Sequence, residues 1–70
     1  MLEYGIQVRR RYNSEWYQLK NPEFDCRVDF ITSNLSRAQA ELAEYRLWHD
    51  ERNEYRLVSR ESHGWVVVSG

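Results

Sequence analysis

Few side chains here are of types that do acid–base, nucleophilic or metal chemistry, and their spacing argues against a local site. Histidine occurs only at His49 and His63, and cysteine only at Cys26. One cysteine excludes an internal disulfide and every multi-cysteine zinc or iron–sulfur arrangement, and a mixed site would need both histidines to converge with Cys26 or carboxylates from separate elements. In "HDE" at 49 to 51, three adjacent residues spread around a helix end instead of sharing a face, so they do not chelate as a unit. His49 is better suited to the last carbonyls of that helix, and His63 falls in a turn. Cys26 alternates with Phe24, Val28 and Phe30 and reads as a small hydrophobe with no base to activate it. Glu41, Glu44, Asp50, Glu51 and Glu54 interleave with Arg37, Arg46 and Arg52, the composition of a solvated helix face. The glycines at 5, 64 and 70 are isolated, so no phosphate loop is present. The expectation is a protein that is not an enzyme, with no catalytic residue, no metal and no cofactor.

Binding chemistry is better represented. In "QVRRRY" a strand conformation would send Arg9 and Arg11 to one face, and Arg10 to the other with Ile6, Val8 and Tyr12. The three arginines therefore do not form one patch. Arg10 then extends along apolar surface and presents only its head. Ten aromatic side chains in seventy residues exceed what so thin a core can enclose, so some must be partly exposed. Tryptophan, tyrosine and arginine dominate binding hot spots. The expected partner-binding residues are Arg9, Arg11, Trp16, Tyr17, Tyr45 and Trp48, with Trp65 a further exposed aromatic. The aromatics would act as anchors and the arginines as orienting charges.

The elements that position these residues follow from periodicity. Tyr4 to Tyr12 alternates as a half-buried strand, "NSE" at 13 to 15 supplies a turn, and Trp16 to Lys20 completes a hairpin. "KNPE" breaks the second strand. From Phe24 to Phe30 apolar residues alternate with Asp25, Arg27 and Asp29; this segment either continues the sheet after a kink or forms a short third strand. "NLSRAQAELAEYRLWHDE" reads as a helix that starts on a capping box of Ser36 and Gln39, with Leu35 against Ala40 as a staple. Its apolar residues form two stripes: Leu35, Ala38, Leu42, Tyr45 and His49 on one side, Ala40, Ala43 and Leu47 nearly opposite. Only one stripe can face a sheet, and the pattern leaves open which. The other is either tolerated surface or a contact with a partner. A second hairpin from Tyr55 to about Ser69, turning at "SHG", closes the chain.

The whole is expected to be α+β: residues 1–70 as one compact domain, order β-β-α-β-β, with an antiparallel sheet of four or five strands and one helix packed on one face. Net charge is -1, so no overall field draws the chain to DNA or an anionic membrane. Residues 1 to 20 carry four basic and two acidic groups, whereas residues 21 to 54 carry four and eight. No apolar run approaches a membrane span, no signal peptide is legible, and cysteine usage suits a reducing cytoplasm.

"YGIQVRRRYNSEWYQL", "LSRAQAELAEYRL" and "NEYRLVSRESHGWVVVSG" together resemble a loose group of short phage-encoded accessory proteins of β-β-α-β type. Some of these are anti-defence, anti-CRISPR-like inhibitors. The resemblance implies a bacterial host protein as target in the host cytoplasm and stoichiometric inhibition by protein–protein contact. An alternative is a homo-oligomer that sequesters a nucleotide signal, with the second helix stripe as subunit contact. A further alternative is a small nucleic-acid-binding regulator, which the balanced charge disfavours.

Overall fold

Alternation in the first segment becomes β1 (Glu3–Arg10), a strand with Ile6 fully buried and Tyr4 and Val8 packed at the margin of the same core. The computed structural model describes residues 2–12, 15–21, 25–49, 52–62 and 64–69. Phe24, Asp50, Glu51 and His63, and the side chains of Cys26, Val28 and His49, lie outside the described residues.

β1 pairs in antiparallel register with β6 (Asn53–Arg60), from Glu3 opposite Arg60 to Arg10 opposite Asn53. Directly opposed residues share a face of the sheet. Tyr4, Ile6 and Val8 therefore join Tyr55 and Leu57 on one side, and Glu3, Gly5, Gln7 and Arg9 join Glu54, Arg56, Val58 and Arg60 on the other. β6 turns through Gly64, whose φ of 69° suits a residue without a Cβ, into β7 (Val66–Ser69).

The other side of β1 is shared. β2 (Tyr17–Gln18) pairs with its second half, Val8 opposite Tyr17, and β5 (Ile31–Thr32) with its first half, Gly5 opposite Ile31. Where they meet, the Leu19 N–H donates to the Ile6 carbonyl and the Phe30 N–H to the Leu19 carbonyl, each at 2.8 Å. Between them the chain leaves the sheet as a small hairpin of β3 (Lys20–Asn21) and β4 (Asp25–Asp29), and Lys20 pairs with the Asp29 carboxylate. The segment before the helix is thus a separate strand, paired in its own two-stranded sheet, and Phe30 at its end turns into the core.

α1 (Leu35–His49) packs on β6, β1 and β5. Ala38 and Leu42 are buried and the Tyr45 ring lies 5.4 Å from that of Tyr55, so this stripe faces the sheet while Ala40, Ala43 and Leu47 face outward. The Arg46 guanidinium donates to the Tyr55 carbonyl at 3.0 Å and ties the last turns to β6. The N-cap lies two residues before the expected one. Asn34 Oδ1 accepts the Arg37 N–H at 3.2 Å and the Asn34 carbonyl accepts that of Ala38 at 3.1 Å, which makes Asn34 the N-cap and leaves Ser36 inside the first turn. Leu35 is then itself helical, so the staple to Ala40 does not form.

The architecture is α+β: a five-stranded antiparallel sheet, β2-β1-β6-β7 with β5 beside β2, and one helix on one face. Asn34→Ala should cost about 1 kcal/mol of stability, whereas Ser36→Ala should stay within about 0.5 kcal/mol. Urea denaturation of the two variants checks the assignment, and equal losses would refute it.

Candidate binding surfaces

The sheet face away from α1 is covered by side chains of the sheet and its loops. Trp16, just before β2, lies between two guanidinium groups: Arg56 at 4.1 Å and Arg9 at 4.7 Å from the ring centroid. Each such contact is worth about 0.5 to 1 kcal/mol when partly exposed. Glu54, opposite Arg9 in the ladder, accepts from its guanidinium at 3.0 Å, and Gln7 accepts from Arg56 Nε at 2.8 Å while donating to Gln18. At the far end Arg60 stacks 4.5 Å from the Trp65 ring and pairs with Glu3 at 3.2 Å.

Gly5 sits beneath this layer. A Cβ at that position would lie 3.2 Å from the Trp65 ring, 3.1 Å from Gln18 Nε2 and 3.3 Å from the Phe30 carbonyl, so the absent side chain lets Trp65 rest on the strand. The result is a flat surface of two indoles and three guanidiniums. Two of its arginines are neutralised by Glu54 and Glu3, but among the described residues no carboxylate pairs with Arg56. Arg56 is therefore a positive charge fixed in the middle of the face by a ring and an amide. Two buried donors here, Arg9 Nε and Gln18 Nε2, have no hydrogen-bond partner among the described residues.

On the helix side, at the Arg10–Asn53 end of the β1–β6 pair, Val8, Arg10, Tyr17, Leu19, Asn53 and Tyr55 line an open groove of about 440 Å³. Arg10 makes no ion pair among the described residues. The Tyr17 hydroxyl donates to Glu15, and this hydrogen bond, followed by the carboxylate's charge, raises the phenol above its ordinary pKa. Protonated Tyr17 is thereby favoured in the folded chain. Its small contribution to stability is present below the unfolded value of about 10 and is lost as pH rises through the folded one.

The six residues expected to bind a partner do not form one patch. Arg9 and Trp16 are brought together, but Arg9 is half-buried between Trp16 and Glu54. Arg11 is exposed and its N–H donates to the Arg52 carbonyl. Tyr17 borders the groove on the opposite face, and Tyr45 is held against Tyr55 beneath the helix. Trp48, 71% exposed, stands on the last helical turn beside Leu47. Sequence reasoning did not single out Arg56 and Arg60. Their period-two spacing in "NEYRLVSR" marks a common face, but only the register with β1 sets them beside Trp16 and Glu3.

Among the described residues no cluster of histidine, cysteine and carboxylates could hold a metal ion, and no helix is long and apolar enough to cross a membrane. Compared with models of known families, with curated proteins and with solved structures, the chain matches none.

Gly5→Ala should destabilise the fold by about 1 to 2 kcal/mol, because Trp65 and the Phe30 carbonyl must both give way. Tryptophan emission should shift with it, and a variant as stable as the parent would show that Trp65 does not rest on the strand. In Glu15→Gln the Tyr17 phenol should ionise at lower pH than in the parent; site-labelled tyrosine NMR through the alkaline range reads this directly.

Proposed function

We propose that this chain is a non-catalytic binding protein that acts by stoichiometric contact with another protein through the open face of its sheet. The observation that carries the reading is Arg56: a cation stacked on Trp16, oriented by Gln7 and free of a carboxylate partner among the described residues. A guanidinium held in this way has already lost much of its rotamer freedom, so a partner's carboxylate meets it at lower entropic cost. Trp16 and Trp65 supply the flat, amphipathic area typical of hot spots. Such a face fits an acidic patch on the partner. The resemblance to short phage-encoded accessory proteins supports a bacterial defence protein as the target, inhibited by occupancy in the host cytoplasm.

Two features weigh against nucleic acid. Arg9 and Arg60 are already paired with Glu54 and Glu3, which leaves little counterion release, and the whole chain is slightly acidic. The nucleotide-sponge reading draws on a different place, the groove with Arg10 at its rim.

Affinity capture from bacterial lysate with tagged parent, Arg56→Glu and Trp16→Ala proteins tests the proposal. The parent should retain a protein at a fixed molar ratio. Arg56→Glu should lose it at least about a hundredfold, the scale of removing a hot-spot charge, and Trp16→Ala about tenfold or more. Equal retention by all three would place the contact elsewhere. Retention of a nucleotide, abolished by Arg10→Gln and not by Arg56→Glu, would replace this reading with the sponge.

A further inference from the structure

The strand register cuts a trough into the helix side of the sheet. Tyr17, Val8 and Tyr55 stand directly opposite one another on three neighbouring strands, so a small side chain lies between two aromatic ones. The two tyrosines start two strand spacings apart, about 9 to 10 Å, with Val8 as the floor. Tyr55 is a fixed wall, buried with its ring against that of Tyr45, whereas Tyr17 is exposed. In the next row of the ladder Arg10 stands opposite Asn53. On the other side of Val8, Leu19 packs against the core, and its N–H donates to the Ile6 carbonyl. These six residues line the groove of about 440 Å³, a volume within the range of small-molecule sites.

The two ends of the groove differ in chemistry. Leu19 and Val8 offer only hydrocarbon. At the other end the Arg10 guanidinium is exposed and makes no ion pair or hydrogen bond among the described residues. Asn53 beside it donates one amide N–H to the Tyr55 hydroxyl at 3.2 Å, which leaves its second N–H and the hydroxyl's own proton without an acceptor among the described residues.

We propose that this groove binds a small organic monoanion: a planar apolar body seated on Val8 between Tyr17 and Tyr55, and one carboxylate held by Arg10 and Asn53. The charges favour a carboxylate over a phosphate. Arg10 is the one cation lining the groove among the described residues, and a single guanidinium matches the two oxygens of a carboxylate. Glu15, which accepts from the Tyr17 hydroxyl, adds a negative charge at the rim that a dianion would meet. The chain also has no glycine loop to cradle a phosphate. The length of the ligand follows from the strand: Val8 and Arg10 are two residues apart, about 7 Å, so the carboxylate sits a short spacer away from the ring. Hydrocinnamate, a phenyl ring joined to a carboxylate by two methylenes, has these proportions. The site lies on the opposite face from Arg56 and Trp16 and stands independently of the protein contact proposed above.

Titration of the full chain with hydrocinnamate, followed by amide NMR, tests the proposal. Saturable shifts should concentrate at Val8, Arg10, Tyr17, Leu19, Asn53 and Tyr55, with a Kd of about 0.1 to 1 mM, the scale for some ten heavy atoms in an open groove. Arg10→Gln should weaken binding about tenfold or more, the loss of one charge-assisted pair, and Tyr17→Ala should weaken it several-fold. Both side chains are exposed, so both variants should keep the parent's fold. Arg56→Gln should bind as the parent does. The neutral amide of hydrocinnamate, and acetate, which lacks the ring, should each bind about tenfold or more weakly than hydrocinnamate. A parent without saturable shifts at these positions would overturn the proposal, as would affinity unchanged by both Arg10→Gln and Tyr17→Ala. Equal binding of the amide would remove the role of Arg10 and overturn it too. Tighter binding of phenethyl phosphate than of hydrocinnamate would overturn it in favour of a phosphoryl ligand.

Discussion

The antiparallel ladder between β1 and β6 is the constraint on which the rest depends. It joins residues 3–10 to residues 53–60 across most of the chain, a costly loop to close. Once formed, it assigns every side chain of both strands to a face. Ile6, Leu57 and Tyr55 become the floor for α1, and Gly5, Arg9, Arg56 and Arg60 become the opposite surface. A slip by one residue would invert both.

The two faces use different physics. On the helix side, burial dominates: Ala38 and Leu42 close over Ile6, Leu57 and Phe30, and no polar or charged residue among those described is fully buried. Among the described residues the other face has no second layer of secondary structure, so its long polar side chains cover it themselves. Indoles lie flat over Gly5 and between guanidiniums, and their neighbours neutralise or orient the charges. In so small a domain this covering layer substitutes for a second sheet or helix. It also leaves Arg56 and the rings at the surface.

Much of the architecture was legible because it rests on local periodicity. Alternation marked β1, the turn at "SHG" marked the closing hairpin, and the 3.6-residue period marked the two stripes of the helix. The cap was misplaced because Asn34 and Ser36 are equally good capping residues. The choice falls to the chain's path out of Phe30 and β5, which brings Asn34 to the start and turns Ala38 and Leu42 to the sheet. The division of one sheet lane between β2 and β5 was not legible either, since strands of two residues carry no period.

The expected binding residues divide along the same line. Sequence by itself determined that Arg9 and Arg10 point to opposite sides, that one helix lies between two hairpins, and that aromatics exceed what the core can hold, because these follow from backbone geometry and composition. Tertiary structure decided that Arg9 is occupied by Glu54, that Arg56 has no carboxylate partner among the described residues, and that the stripe of Ala38, Leu42 and Tyr45 is the one that packs. These depend on which residues stand opposite across a ladder closed over some fifty positions. Such register is set by the summed burial of both faces and not by any short stretch of sequence.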